Sequence, residues 1–340
     1  MMGVVLAIRM RQTRSQREEM RRHKINLAYL KPETSELLSP MRILIKNIKG
    51  LCGVYENPPH LLRGAAMAEL PVLENAFLAI DDGLIGLYGS MSDWGGITDW
   101  RNLEVIDAEG RYVLPAWCDS HTHLVFAATR EREFVDRIRG LSYAEIAERG
   151  GGILNSAARL GSMSEDELFE TALPRLENAA LQGTGAMEIK SGYGLDTAQE
   201  LKMLRVIKRL KAGSKVAIRS TLLGAHALPA KFSDNRRGYL DLILNEMIPQ
   251  AAEEGLADYV DVFCEKGYFS VEETLKIVSM GARHGLQSKI HVNQFYSIGA
   301  IPKLVAAGAI SVDHLEVLEQ ADVVALAGAV TIATVLPLCS

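Results

Sequence analysis

The sequence predicts an α/β protein: a TIM-type (β/α)8 barrel preceded by a small β-sandwich-like domain. From about residue 114 onward, short apolar segments alternate with amphipathic stretches, the pattern of a parallel sheet with crossover helices. Histidines and other polar residues fall at the C-terminal ends of those apolar segments, where barrel active sites are built. No G-x-G-x-x-G follows a first strand, so a doubly wound dinucleotide-binding sheet fits less well.

Residues 1–40 read as a basic extension, disordered or mis-started. Arg9, Arg11, Arg14, Arg17, Arg21, Arg22 and Lys24 follow an apolar run, Val4 to Ile8, that is too short for a signal-peptide core, and Glu18-Glu19 argue against a transit peptide. Met41 is the expected natural start. Residues 41–113 read as a small antiparallel β domain. Met41 to Leu51 alternates apolar and polar residues like a half-buried strand. Residues 53–73, with Pro58-Pro59, read as a loop. Ala76–Ile80 and Leu84–Tyr88 flank Asp81-Asp82-Gly83, a hairpin signal because both turn residues tolerate positive φ. Val105–Asp107 and Tyr112–Leu114 flank a further Glu109-Gly110 turn.

Residues 114–340 carry the barrel. Its first strand, within Leu114–Leu124, ends in His121-Thr122-His123. Further strands are expected at Ala186–Lys190, Ala217–Leu223, Val260–Cys264, Lys289–Val292, Ile310–Asp313 and Thr331–Leu336. Between them lie helices at Glu165–Gln182, Ala198–Leu210, Leu240–Glu254, Val271–His284, Ile301–Ala307 and Gln320–Ala327. That makes about seven strands where a closed barrel has eight. The chain is therefore expected to stop short of the eighth strand, leaving two unpaired edges.

Composition is that of an ordinary globular protein: 340 residues, 48% apolar, 23% charged and a formal net charge of -5. The charge gives no reason to expect a nucleic-acid partner, and no apolar run approaches the ~20 residues of a membrane helix. Cys52, Cys118, Cys264 and Cys339 are widely spaced without a C-x-x-C, as reduced thiols of a cytoplasmic protein would be. A small molecule is the expected partner.

On a strand, residues i and i+2 share a face, so His121 and His123 can aim two imidazoles at one point, as ligands of a divalent ion. Other strand ends repeat the theme: Glu188 to Asp196, Gly224-Ala225-His226-Ala227, Lys289-Ile290-His291-Val292-Asn293-Gln294, and Asp313-His314-Leu315. Histidines at the ends of four strands favour a metal site over incidental strand histidines. Glu188 and Lys190, two apart, read as a structural ion pair. Gly150-Gly151-Gly152 before Asn155-Ser156 lacks the Lys-Ser/Thr of a P-loop and reads as an active-site loop capped into a helix.

Four stretches together resemble the imidazolonepropionases of the amidohydrolase superfamily: Asp119 to Phe126, Arg130 to Phe134, Lys190-Ser191-Gly192-Tyr193-Gly194-Leu195-Asp196, and Gly224 to Ala227. The resemblance runs from about Met41 to Ser340. It implies a metal-dependent hydrolase that opens the cyclic amide of 4-imidazolone-5-propanoate to N-formimidoyl-L-glutamate in histidine degradation, with one Zn2+ or Fe ion, as a homodimer. His121, His123 and His291 match metal ligands, and a fourth, an aspartate on strand eight, falls beyond Ser340. His314 is placed to hydrogen-bond the carbonyl oxygen; its alternative is a core histidine paired with Asp313. Arg130 matches the arginine that holds the substrate carboxylate, while Tyr193 and His226 match substrate contacts. Gln294 stands where many members carry glutamate. An amide orients a substrate but does not shuttle a proton. Two other readings are an amidohydrolase acting on an exocyclic amine and a non-catalytic remnant of the family.

Overall fold

A computed structural model describes residues 9–10, 25–26, 42–141, 145 and 151–336. Met41, Gly150, Cys339 and most of the basic extension lie outside the described residues. The chain divides into two compact units: Met1–Cys118 with Asn178–Ala186 and Lys215–Ala217, and Asp119–Glu177 with Met187–Ser214 and Ile218–Ser340.

The small sheet contains β1 (Arg9–Met10), β2 (Ile25–Asn26), β3 (Arg42–Cys52), β4 (Val72–Asp81), β5 (Leu84–Ser90), β6 (Leu103–Asp107) and β7 (Tyr112–Val113). Its order is β1-β2-β5-β4-β3-β6, with β7 also on β3. The hairpin between β4 and β5 turns at Asp82 and Gly83, with φ of 48° and 74°, as Asp-Gly suggests. The purely antiparallel expectation is corrected: β6 and β7 both pair with β3 in parallel. Glu109-Gly110 does not reverse the chain. It is the expected turn, closed by Arg111 N–H donating to Ala108 O at 2.8 Å, and it packs on β3, where Gly110 N–H donates to Asn47 O at 3.0 Å and Asn47 has φ 55°. Ile45, Ile48, Leu51, Leu78, Ile80 and Ile85 form the core of this unit.

The second sheet has seven strands in chain order: β8 (Trp117–Thr122), β9 (Thr184–Lys190), β10 (Ala217–Ala225), β11 (Tyr259–Cys264), β12 (Gln287–Val292), β13 (Ser311–His314) and β14 (Ile332–Val335). The registered neighbours from β10 to β14 run parallel. This is a (β/α)8 barrel short of one strand. The middle strands are buried almost end to end, as parallel strands covered by helices must be. On the outermost strands, Trp117, Ile332 and Val335 are exposed.

The helices follow their sequence signals. Asp196 caps Thr197–Gly213 by accepting Gln199 N–H, and a Ser270/Glu273 capping box opens Val271–Arg283. The helix expected at Leu240–Glu254 runs without interruption from Arg236 to Glu253, with a π-helical turn at Ile243–Met247. Pro249 has no N–H for the i→i−4 ladder, and a π segment absorbs the break. A helix not foreseen, Glu131–Ile138, follows Arg130.

Candidate metal centre

Strand β8 ends at Thr122, so His121 is its penultimate residue and His123 the first beyond it. Local bonds hold this strand end. Thr122 Oγ1 donates to Glu188 O at 2.6 Å. Arg175 Nη1 donates to Leu124 O at 3.2 Å and Phe126 O at 3.0 Å, with its guanidinium 3.5 Å from the Phe126 ring centroid. His291, on β12, joins them: its ring centroid is 4.3 Å from that of His121 and 5.4 Å from that of His123. Ligand atoms of the three histidines all lie within 4.8 Å of one another. The Nε2 atoms of His123 and His291 are 3.3 Å apart. Two corners of a tetrahedron with metal–nitrogen bonds of about 2.0–2.1 Å stand about that far apart.

Carboxylates behind the rings fix their orientation. His121 Nδ1 donates to Asp313 Oδ2 at 2.8 Å, and His291 Nδ1 donates to Asp261 Oδ2 at 2.7 Å. A carboxylate only accepts, so both Nδ1 atoms carry the proton and both Nε2 lone pairs are free for a metal. Burial pushes His121 down to about 4, against the opposing pull of its bond to Asp313. Burial and the neighbouring imidazoles hold His123 and His291 well below the usual histidine range. The rings are thus neutral, the form that binds metal. This donor set fits one divalent ion.

Beneath the histidines lies a charged layer inside the barrel. Lys190 donates to Glu188 Oε1 at 2.7 Å and Asp261 Oδ2 at 2.8 Å, and its Nζ is 3.9 Å from Asp313 Oδ2. Lys289 Nζ lies 3.5 Å from Asp313 Oδ2 and 3.9 Å from Glu188 Oε2. His121, Glu188 and Asp313 also form a group with metal-ligand spacing. Two ammonium groups already supply positive charge there, so a cation is less needed in that group than among the three histidines. Burial works against charge on Lys190, but Asp261, Glu188 and Asp313 outweigh it and raise its pKa. Burial likewise opposes the Asp313 carboxylate, yet the His121 bond and both lysines hold it below the usual range.

Of the other expected site residues, His314, His226 and Tyr193 pack against the histidines. The His314 ring centroid is 5.0 Å from that of His291 and 5.1 Å from that of His121. Its alternative partner, Asp313, is bonded to His121 instead; His314 Nδ1 lies 3.4 Å from Glu316 Oε1. The His314 and Leu315 backbones have φ of 92° and 62°, a conformation that costs energy and clusters at functional sites. His226 stacks on His123 at 5.2 Å with an interplanar angle of 12°. The Tyr193 ring is 5.5 Å from His226, and the Arg130 guanidinium sits 5.4 Å from the Tyr193 centroid. Ser156 Oγ accepts from Arg130 Nε and Nη2 at 3.0 and 2.9 Å. Ser156 lies in the helix Gly152–Gly161, which follows Gly151 directly. Gln294, three residues past His291, is placed by its main chain: its N–H donates to Glu265 Oε2 at 3.0 Å.

No family model matches the chain. An imidazolonepropionase of Flavobacterium johnsoniae is 54% identical over 300 residues, which cover 88% of this chain and 72% of the relative. The chain belongs to the imidazolonepropionase family. A further imidazolonepropionase, from Christiangramia forsetii, is 50% identical over the same coverage, and one from Shewanella sp. (strain ANA-3) is 43% identical over 265 residues, 78% of this chain and 65% of the relative. Solved structures share the fold at low identity. A triazine hydrolase from Arthobacter aurescens aligns with a TM-score of 0.62 at 16% identity, covering 87% of this chain and 65% of that one. A 5-methylcytosine deaminase from Klebsiella pneumoniae aligns with a TM-score of 0.52 at 15% identity, covering 81% and 58%.

In this imidazolonepropionase family member the residues that hold the histidine rings carry no motif of their own. Asp261 sits in Tyr259-Val260-Asp261-Val262-Phe263, a lone acid in an apolar strand. A charge buried there must be paired, and that was the available signal. Lys190 was read as a partner of Glu188 alone, whereas it also bonds Asp261.

Proposed function

We propose that this protein hydrolyses the cyclic amide of 4-imidazolone-5-propanoate to N-formimidoyl-L-glutamate, a step of histidine degradation, with one zinc or iron ion held by His121, His123 and His291. The convergence of those three imidazoles, in a chain 54% identical to an imidazolonepropionase, carries the reading. The ion supplies Lewis acidity, which makes water a competent nucleophile near neutral pH and polarises the carbonyl.

The protein's own residues bind and orient. Ser156 holds Nε and Nη2 of Arg130 and Glu133 Oε2 lies 3.9 Å from Nη1, an orientation from which the guanidinium takes the substrate propionate. Tyr193 and His226 line the path from Arg130 to the metal ligands and pack the ring. His314 donates to the carbonyl oxygen as negative charge builds there. Gln294 orients the ring through its amide. Water adds to the carbonyl carbon, the ring C–N bond breaks, and the departing nitrogen takes a proton.

Among the described residues Cys52, Cys118 and Cys264 form no disulfide, and no helix is long and apolar enough to cross a membrane. The cytoplasmic setting rests on the widely spaced cysteines without a C-x-x-C. The homodimer rests on the family resemblance. The test is turnover of 4-imidazolone-5-propanoate by the expressed chain, chelated and then reloaded with zinc or iron. Metal-dependent appearance of N-formimidoyl-L-glutamate is expected; no product with either metal overturns the reading.

A further inference from the structure

Tyr193 sits in a loop wrapped around one buried carboxylate. Glu200, in the first turn of the helix Thr197–Gly213, is fully buried. Its Oε2 accepts Gly192 N–H at 2.9 Å, and its Oε1 accepts Gly194 N–H at 2.7 Å and Leu195 N–H at 2.9 Å. Successive N–H groups turned to one point make a nest of the kind that binds anions. Here the nest is filled from within the chain.

The fit is close. A Cβ on Gly194 would come within 2.3 Å of Glu200 N, and one on Gly192, at φ 112°, within 2.8 Å of His226 Nδ1. Gly192 is tied at both ends of its backbone: its N–H goes to Glu200, and its carbonyl accepts from His226 Nδ1 at 2.8 Å. A carbonyl only accepts, so the proton of neutral His226 is on Nδ1 and Nε2 presents a lone pair.

We infer that Glu200 is a positioning residue for substrate: through the Gly192–Leu195 loop it places the Tyr193 ring and holds His226 with its Nε2 as an acceptor. It touches no substrate itself. The inference rests on the reading that Tyr193 and His226 contact the imidazolone.

Glu200→Gln keeps the shape and leaves one oxygen for Gly194 and Leu195, but sets an NH2 against Gly192 N–H. The expected result is a folded, metal-loaded chain whose KM for 4-imidazolone-5-propanoate rises about tenfold, the worth of one such hydrogen bond, with kcat changed less. The second readout needs no turnover. In 15N–1H spectra of histidine-labelled protein, assigned with His226→Asn, His226 should show the Nδ1–H tautomer in the parent chain and a mixture in Glu200→Gln. Should that variant fail to fold, Glu200→Ala is measured with and without formate, which should refill the nest and restore the His226 signature. An unchanged His226 tautomer and KM in Glu200→Gln overturn the inference, as does a Glu200→Ala signature that formate leaves unrestored. A parent chain inactive on the imidazolone overturns the substrate reading alone, because the tautomer spectra still decide the role of Glu200.

Discussion

His121 and Asp313 meet at 2.8 Å although 192 residues separate them. One is on β8 and the other on β13, with β9, β10, β11 and β12 between them in the sheet. Only a sheet curled towards a barrel brings those two strand ends together. The bond also selects which nitrogen of His121 faces the metal. Asp313→Ala is therefore expected to weaken zinc binding about 10–100-fold, the usual cost of losing such a partner. Competition with a chromophoric chelator measures it, and parent-like affinity would contradict the assignment.

Lys190 balances Glu188, Asp261 and Asp313 in the barrel interior. Lys190→Met leaves Lys289 as the remaining ammonium beside Glu188 and Asp313 and removes the ammonium beside Asp261. Breaking a buried pair by removing one partner costs about 3–5 kcal/mol, so the denaturation midpoint should fall accordingly. A loss under about 1 kcal/mol in urea titration would show that the layer relaxes or takes up protons.

Stability should drop as the solution becomes mildly acidic. Burial holds His121 and His226 down to about 4 in the folded chain, whereas in the unfolded chain they titrate near about 6.5. Between those values the unfolded state binds more protons, so stability is lost as pH falls from about 6.5 towards 4. At pH 5 the loss is about 2 kcal/mol for each residue. Calorimetry of metal-free protein at pH 7 and pH 5 tests this; equal melting temperatures would refute it. Asp313, whose folded pKa is depressed, adds its loss only below the ordinary aspartate range.

Arg130→Lys keeps the charge but loses the fork. With Arg130 in its proposed substrate role, KM should rise about tenfold or more while metal content stays at the parent level. Steady-state kinetics together with metal analysis separates that result from general damage, in which kcat and metal content would both fall.

Much of the architecture was legible because it depends on local pattern. Strand–helix alternation follows from side-chain periodicity, and Asp82-Gly83 turns where it should because both residues adopt positive φ cheaply. The parallel pairing of β6 and β7 with β3 was not legible. The turn between them is seated on Asn47, some 60 residues upstream along the chain. The π-helical turn ahead of Pro249 follows from the missing N–H of that proline, a local property of the chain.

The sequence by itself determined the family and the three histidines, since i,i+2 spacing on a strand and distinctive short motifs are local properties. Only the tertiary structure decided which groups hold those histidines. Asp261, Asp313, Lys190 and Glu200 look like ordinary charges in the chain. Their roles appear once curling of the sheet brings separate strands within hydrogen-bond reach, where low dielectric obliges every buried charge to find a partner.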